Sequence, residues 1–326
     1  MKKLFPSVTG GSGGSVLSTK TAGRAKRILM SALRLVILLS IGYVIIYPLF
    51  YMIVTSLKGV DAYYNNARVW IPTDLNPGFT YPFAAESINY ASGLKTTLLY
   101  EIGAALLEVL TCAVVAYGFA RFNFKLKGLL LVCLFSTIII PETMVIIPRM
   151  MNYSHMDFLG ILGLFNKITG IDLRPNLINS PLAFYLPSLF AIGLRSGILT
   201  FIYIQFFKGL PKELEEAAWV DGAGPIKTFV SIALPSSSVV FTTVTLFAVI
   251  WHWNDSYLSS LYMVENFPLA VNLERISQTL LSRGFHGPTR PLTMSVQMAA
   301  CVMFIAPVLV LYMIMQRKFI ESIDRV

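Results

Sequence analysis

Charged residues are rare in the long apolar segments of this chain, and they are the first candidates for chemistry. Glu101 and Glu108 lie seven residues apart in one segment, so a helix places both carboxylates on about the same face, whereas Arg195 lies near the middle of another segment. If these segments are buried in a membrane, an unpaired charge costs about 2.5–3.5 kcal/mol. The sequence therefore predicts an ion pair between this arginine and Glu101, Glu108 or Glu142. The alternatives are a substrate contact, or an interfacial position if the helix of Arg195 begins near Gly193.

Signatures of catalysis are missing from the sequence. Neither the phosphate-binding pattern G-x-x-x-x-G-K-[ST] nor the zinc pattern H-E-x-x-H occurs. The histidines, His155, His252 and His286, are far apart in the chain, and the cysteines lie in apolar stretches, where small buried hydrophobes are expected. We therefore expect interfacial or loop histidines, no metal site, no cofactor bound by this chain and no enzymatic activity.

The composition is typical of a membrane protein. Of 326 residues, 55% are hydrophobic and 13% are charged, whereas soluble domains carry about 25% charged residues. The net charge of +9 is dispersed between apolar runs, which argues against nucleic acid as a partner and favours the lipid bilayer. No apolar run follows Lys2 and Lys3 before Ile28, so we expect a flexible cytoplasmic tail over 1–27 rather than a cleaved signal peptide.

The apolar segments predict six transmembrane helices, since roughly 20 helical residues cross the hydrocarbon core. The segments are 28–57, 97–120, 128–148, 184–207, 236–257 and 292–315. Lys and Arg are more frequent in both termini and in the loops after the second and fourth segments, so these parts are assigned to the cytoplasm. The sequence thus predicts an all-α polytopic membrane protein with both termini cytoplasmic. Its expected parts are a tail (1–27), a first span with an outer loop (28–96), a core (97–316) and a C-terminal tail (317–326).

The loop 208–235, between the fourth and fifth segments, carries the most distinctive local pattern. Pro211 and the acidic residues that follow it suit the first turn of a helix, where negative side chains complement the helix dipole. Gly222 is placed to end that helix in a left-handed conformation. Pro225 can open a second helix, which Pro235 interrupts before the next span. We expect a compact helix–turn–helix at the membrane surface, suited to docking into another protein.

The same loop resembles the signature of one transporter family. Glu216-Ala-Ala218, Gly222 and Ile232-Ala-Leu-Pro235 fit the pattern EAA-x3-G-x9-I-x-L-P of permease subunits of binding-protein-dependent ABC importers. Further segments are similar to those of carbohydrate-type permeases: AYGFARF at 116–122, QFF at 205–207, WND at 253–255 and QRKF at 316–319. The resemblance covers most of residues 90–320 and is nearest to the smaller membrane subunit of maltose-type importers.

The resemblance implies the type I importer permease fold and a division of labour. The first helix of loop 208–235 would be a coupling helix seated in a partner ATPase, which would also bind the ATP and magnesium. The residues implied in coupling are Glu216, Ala217, Ala218, Asp221, Gly222, Ile232, Leu234 and Pro235. The implied assembly lies in the bacterial cell membrane and contains a second permease subunit as heterodimer partner, two ATP-binding subunits and an extracytoplasmic sugar-binding protein. Closure of the ATPases would move the loop as a lever and switch the permease from inward-facing to outward-facing.

A sugar pathway, if there is one, has candidates near the end of the fifth segment. Trp251 and Trp253 offer aromatic faces, while Asn254 and Asp255 offer an amide and a carboxylate for hydroxyl groups. Tryptophans at a membrane interface also form an ordinary aromatic belt. The sequence leaves both readings open for this group.

The transported solute is also open. The segments shared with carbohydrate-type permeases favour a sugar, in particular an oligosaccharide. An ABC importer of another solute, such as an amino acid or a phosphate ester, is one alternative. A secondary carrier or channel without an ATPase is another, and a membrane scaffold or sensor that transports nothing is a third. The intact pattern in loop 208–235 argues against the secondary carrier or channel.

Overall fold

The computed structural model describes residues 13–59, 70–72, 74–157, 160–285 and 290–323, with residues 13–26, 290–291 and 317–323 described by their backbone alone. The expectations for 1–12, for His286 and for 324–326 lie outside these residues. Across the described ranges the chain is helical and contains no strand beyond an isolated bridge between Lys58 and Leu75. The helices are α1 (Gly13–Ser56), α2 (Pro77–Ser87), α3 (Tyr90–Arg121), α4 (Lys127–Ile139), α5 (Glu142–Ser154), α6 (Ile161–Thr169), α7 (Leu182–Leu189), α8 (Ser196–Gly209), α9 (Glu213–Val220), α10 (Pro225–Ser236), α11 (Ser238–Trp253), α12 (Tyr257–Tyr262), α13 (Leu269–Glu274), α14 (Ile276–Ser282) and α15 (Arg290–Ile323).

The apolar segments divide into straight and bent helices. Within the described part of the chain, α1, α3 and α15 each contain a stretch long and apolar enough to cross a membrane. Two further candidates are bent pairs: α4 and α5 meet at 104°, and α10 and α11 meet at 81°. The count is therefore three spans, or five when each bent pair is one span, where the sequence predicts six.

The fourth predicted segment, 184–207, is not one helix. The helix α7 ends at Leu189 and α8 begins at Ser196, and between them Ala191 and Arg195 have left-handed backbones with φ of 54° and 58°. Residues in this conformation interrupt an α-helix because their N–H and C=O groups no longer point along the helix axis. The 14 residues of α8 extend only about 21 Å, less than the roughly 30 Å of a hydrocarbon core.

The first helix is longer than expected and faces outward. The helix α1 begins at Gly13, so the part of the predicted flexible tail that the structure describes is helical. No residue of its most apolar stretch is buried against the rest of the chain. In water such a surface would be costly, whereas lipid or another membrane helix covers it without penalty.

Three helices form the core that carries the functional residues. The helix α3 presents a stripe of small side chains that lets α8 and α11 approach closely. Its buried members are Ala105, Val109, Cys112, Ala113 and Ala116. Tyr203 and Phe207 of α8 fill the space on one side of the stripe, and Val244 and Ala248 of α11 complete the cluster. The helices α3, α8 and α11 are therefore held against one another by tight packing.

Candidate functional site

Loop 208–235 folds as the helix–turn–helix that its sequence predicts. The helix α9 ends where Gly222 takes φ of 79°. The Gly222 N–H donates to the Trp219 carbonyl (3.0 Å), and the Ala223 N–H donates to the Ala218 carbonyl (2.9 Å). These two bonds are the Schellman arrangement, which satisfies the last carbonyls of a helix and favours glycine at the left-handed position. Pro225 then opens α10, as predicted, whereas Pro211 lies two residues before α9 begins at Glu213 and not in its first turn.

A buried ion pair holds α9 against the membrane core. Arg121, the last residue of α3, places Nε 2.8 Å from Oε1 of Glu215, and both side chains are almost completely buried. A second nitrogen of Arg121 donates to the carbonyl of Leu210 at 2.8 Å. Ala218, one turn after Glu215, is buried on the same face of α9. The orientation of this short helix is thus set by a charge-assisted contact to the core.

The remaining surface of α9 is exposed and mostly apolar. Trp219 is 47% exposed and Val220 is 88% exposed, and Ile226 of the next helix adds a further exposed side chain. Glu216, Ala217 and Asp221 are also exposed, while Ile232 and Leu234 of α10 are half-buried and Pro235 is exposed. Large apolar side chains grouped on a rigid surface mark an interaction site more often than a solvated loop.

Two glutamates and a histidine meet at the far ends of the core helices. Glu101 and Glu108 of α3 are fully buried, and His252 of α11 is 3% exposed. The imidazole Nδ1 lies 2.9 Å from Glu101 Oε2, and Nε2 lies 2.9 Å from Glu108 Oε2. We call these residues the acid–histidine cluster. Glu101 lies in a π-helical turn, Thr97–Ile102, a feature frequent at functional sites.

Serine hydroxyls occupy the remaining carboxylate oxygens of the cluster. Ser196, at the start of α8, donates to Glu108 Oε1, and Ser259 of α12 donates to Glu101 Oε1. Gly193, in the break before α8, comes so close that an added Cβ would lie 2.8 Å from Glu108 Oε2. The cluster therefore joins α3, the break between α7 and α8, and the corner between α11 and α12.

The prediction that Arg195 forms an ion pair with Glu101, Glu108 or Glu142 is wrong. Its guanidinium lies over the ring of Trp251, 5.0 Å from the centroid, and the glutamates of α3 pair with His252 instead. The reason is the break before α8: Arg195 lies in this break with a left-handed backbone and not inside a continuous helix. Glu142 begins α5 and has no ion pair among the described residues.

His252 is the functional residue that the sequence pattern does not predict. It was expected at an interface or in a loop, yet it is buried beside two carboxylates. The available signal was its position inside the apolar segment 236–257, because an ionisable group there needs a buried partner. His155, by contrast, is exposed at the end of α5, as expected.

The candidate pathway residues separate into different environments. Trp253 is 4% exposed, and its indole N–H donates to the carbonyl of Phe304 at 3.2 Å, so it belongs to the core between α11 and α15. Trp251 is half-buried and stacks on Phe247. Asn254 is exposed, while the carboxylate of Asp255 accepts the first N–H groups of α12. Of these four residues, Trp251, Asn254 and Asp255 keep surface that a solute or a partner could contact.

Within the described ranges, no group of three or more His, Cys, Asp or Glu side chains is arranged to hold a metal ion. The cysteines Cys112, Cys133 and Cys301 are free thiols and lie on three different helices.

Comparison with known proteins identifies the family. A family model described as binding-protein-dependent transport system inner membrane component matches residues 109–325. The chain is 26% identical over 269 residues to the sn-glycerol-3-phosphate transport system permease protein UgpE of Pectobacterium atrosepticum, with 82% of each protein covered. It is 26% identical over 281 residues to the melibiose/raffinose/stachyose import permease protein MelC of Bacillus subtilis, with 85% of this chain and 89% of that protein covered.

A solved structure shows the same fold. One chain in the crystal structure of a bacterial ABC transporter involved in the import of the acidic polysaccharide alginate superposes with a TM-score of 0.66 at 18% identity. The superposition covers 91% of this chain and 98% of that one. The family model spans well over half of the sequence. The protein therefore belongs to the family of binding-protein-dependent transport system inner membrane components. It is a transport subunit and not an enzyme: a multi-pass protein of the cytoplasmic membrane that works with a binding protein and an ATPase.

Proposed function

We propose that this chain is the permease subunit of an ATP-driven importer of an oligosaccharide, and that α9 is the helix through which a partner ATPase drives it. The observation that carries the proposal is the two-sided character of α9. One face is fixed to the core by the buried Arg121–Glu215 ion pair, and the remaining surface exposes Trp219 and Val220. A helix that is rigidly held on one side and binds a partner through its exposed apolar side chains can transmit a displacement without bending.

The residues of loop 208–235 divide the work of coupling. Glu216, Ala217 and Asp221 are exposed and contact the ATPase. Ala218 faces inward and allows α9 to lie close to the core, and Gly222 sets the angle at which α10 leaves. A separate set on α10, namely Ile232, Leu234 and Pro235, keeps this second helix against α11.

The full assembly contains four membrane-associated subunits. A second permease subunit covers the lipid-embedded apolar surface of this chain and completes the pathway, and two ATP-binding subunits hold the ATP and magnesium. An extracytoplasmic sugar-binding protein delivers the solute to the outer loops. In this arrangement α7, the break at 190–195 and α8 make up the fourth of six crossings, with both termini in the cytoplasm, as the distribution of Lys and Arg supports.

A phosphate ester is the second candidate solute. The relative from Pectobacterium atrosepticum is named for sn-glycerol-3-phosphate transport, whereas the one from Bacillus subtilis is named for melibiose, raffinose and stachyose, and the two are equally identical to this chain. In systems of this kind solute choice depends on the binding protein as well as the membrane subunits.

The experiment is uptake by proteoliposomes that contain this chain, its partner permease and the ATPase, with the binding protein outside and ATP inside. Labelled raffinose and labelled sn-glycerol 3-phosphate serve as the two probes. We expect ATP-dependent, vanadate-sensitive uptake of raffinose. Uptake that continues without ATP would identify a secondary carrier, and uptake of the phosphate ester alone would replace the oligosaccharide.

A further inference from the structure

The acid–histidine cluster lies at the ends of two helices whose other ends adjoin the proposed coupling loop. The helix α8 begins at Ser196, beside Glu108, and ends at Gly209, shortly before α9. The helix α11 follows α10 and places His252 in its last turn. With 14 and 16 residues these helices extend about 21 Å and 24 Å. The helix α3 runs beside them and contributes Glu108 to the cluster and Arg121 to the ion pair with α9.

Hydrogen-bond accounting gives the charge of the cluster. Each ring nitrogen of His252 faces a carboxylate oxygen at 2.9 Å, and each carboxylate already accepts a serine hydroxyl through its other oxygen. Between two ionised carboxylates, a neutral imidazole could satisfy only one of the two contacts because it has one N–H. An imidazolium donates to both, so the geometry points to one cation held between two anions.

The surroundings of the cluster also carry charge. A small cavity beside it is lined by Glu101 and His252 together with Asp255, Arg149 of α5 and Tyr262 of α12. The carboxylate of Asp255 accepts the backbone N–H groups of Leu258 and Ser259 at the start of α12 instead of contacting the imidazole. On the side of α8, Cys112 points its thiol toward the Ser196 carbonyl at 3.7 Å. Among the described residues, His252 is the only cation within ion-pairing distance of Glu101 or Glu108.

We propose that Glu101, Glu108 and His252 are positioning residues for transport: their shared ionic contact fixes the outer ends of α8 and α11 to α3, so that a displacement of the coupling loop moves the three helices as one body. The inference rests on the proposed function, because it assigns the cluster a part in transmitting the movement of α9. Without the cluster the helices would remain packed through their apolar faces but would slide at the ends where the break before α8 leaves the backbone free to adjust.

The decisive variant is Glu108→Gln, which keeps the size of the side chain and removes its charge. In proteoliposomes with ATPase, binding protein and the labelled probes raffinose and sn-glycerol 3-phosphate, we expect normal assembly and basal ATP hydrolysis. Uptake should fall by about fivefold or more, so that more ATP is hydrolysed per solute imported, as loss of a typical coupling free energy predicts. Glu86→Gln is the matched control, since Glu86 is exposed and its partner Arg283 lies at the surface.

A second variant guards against failure of Glu108→Gln to assemble. Ser196→Ala removes one hydroxyl that ties Glu108 to the start of α8 and leaves both contacts of His252 in place. It should raise the ATP hydrolysed per solute about twofold or more, whereas Ser282→Ala, at an exposed hydroxyl bonded within its own helix, should change nothing. Unchanged uptake and stoichiometry in Glu108→Gln, or in Ser196→Ala where Glu108→Gln does not assemble, would overturn the inference.

The charge of the cluster has a readout that does not involve transport. Nitrogen-15 solid-state spectra of histidine-labelled protein in bilayers, with the His252 signals assigned by their loss in His252→Gln, should show both ring nitrogens protonated at neutral pH. A signal with one protonated nitrogen would contradict the ionic contact. A wild-type complex that imports neither probe would count against the proposed function alone, because the spectra still test the cluster.

Discussion

Arg121 and Glu215 form a buried ion pair, 94 residues apart in sequence, that joins the end of the central membrane helix α3 to the first turn of α9. Arg121 belongs to the AYGFARF segment and Glu215 immediately precedes the EAA pattern. The AYGFARF segment and the residue before the EAA pattern therefore each contribute one partner to the same ion pair. An arginine suits the end of α3 because its guanidinium contacts Glu215 and the Leu210 carbonyl through two different nitrogens.

Arg121→Lys should uncouple transport although it keeps the positive charge. A lysine has one point-like ammonium group, so it loses one of the two contacts that Arg121 makes through different nitrogens. Removing a partner from a buried pair typically costs about 3–5 kcal/mol, and this milder change should cost less but still loosen α9. Faster hydrogen exchange over residues 210–222 would report it. Arg174→Lys, in an exposed pair with Asp172, is the control, and equal exchange in both variants would contradict the anchoring role.

Gly222→Ala should weaken the turn after α9 through backbone conformation alone. A Cβ at this position would meet no atom within 4 Å, so the cost is that of a left-handed residue, about 1–2 kcal/mol. Gly222→Asn should be milder because asparagine tolerates this conformation. The stimulation of ATP hydrolysis by binding protein measures the effect. Gly224→Ala is the control, as Gly224 has φ of −75° and open space around it; an equal loss in both variants would refute the argument.

Much of the fold follows from local sequence pattern. The helix–turn–helix of loop 208–235 was predictable because proline and glycine affect the backbone within a few residues. The positive φ of Gly222 is one that glycine adopts more readily than other residues. The apolar segments containing α1, α3 and α15 were predictable because length and hydropathy are properties of a single segment.

Other features depend on contacts between distant segments. The break before α8 leaves Arg195 in a left-handed conformation at a helix start, and no local pattern at 184–207 requires it. The choice of His252 rather than Arg195 as partner of Glu101 and Glu108 depends on how α11 packs against α3. A hydropathy average describes one segment and contains no information on contacts between segments. It therefore indicates that a buried charge needs a partner but does not identify the partner.

Trp219→Ala should reduce binding of the ATPase without disturbing the membrane domain. Its side chain is 47% exposed on the outer face of α9, and large aromatic residues in such patches often contribute 2 kcal/mol or more to an interface. A loss of about that size lowers affinity by roughly 30-fold. The amount of ATPase that copurifies with the tagged chain in detergent measures it. Trp70→Ala is the control, because Trp70 is equally exposed and packs against α1 instead; an equal loss of ATPase in the two variants would exclude a specific contact.

Trp253→Phe separates a core role from a solute-binding role for this residue. The substitution keeps an aromatic ring against Phe304 and removes the N–H that donates to the Phe304 carbonyl. Loss of this one hydrogen bond costs about 0.5–1.5 kcal/mol, since the Phe304 carbonyl lies within α15 and keeps its helical N–H partner, so the thermal midpoint of the purified chain should fall by a few degrees. The concentration of raffinose that gives half-maximal uptake should stay the same, because Trp253 is 4% exposed and faces α15 rather than an open surface. Trp251→Phe is the matched variant: it is half-buried beside Arg195 and should leave the thermal midpoint nearly unchanged. A shift in half-maximal uptake for Trp253→Phe at unchanged stability would move this residue from the core to the solute pathway.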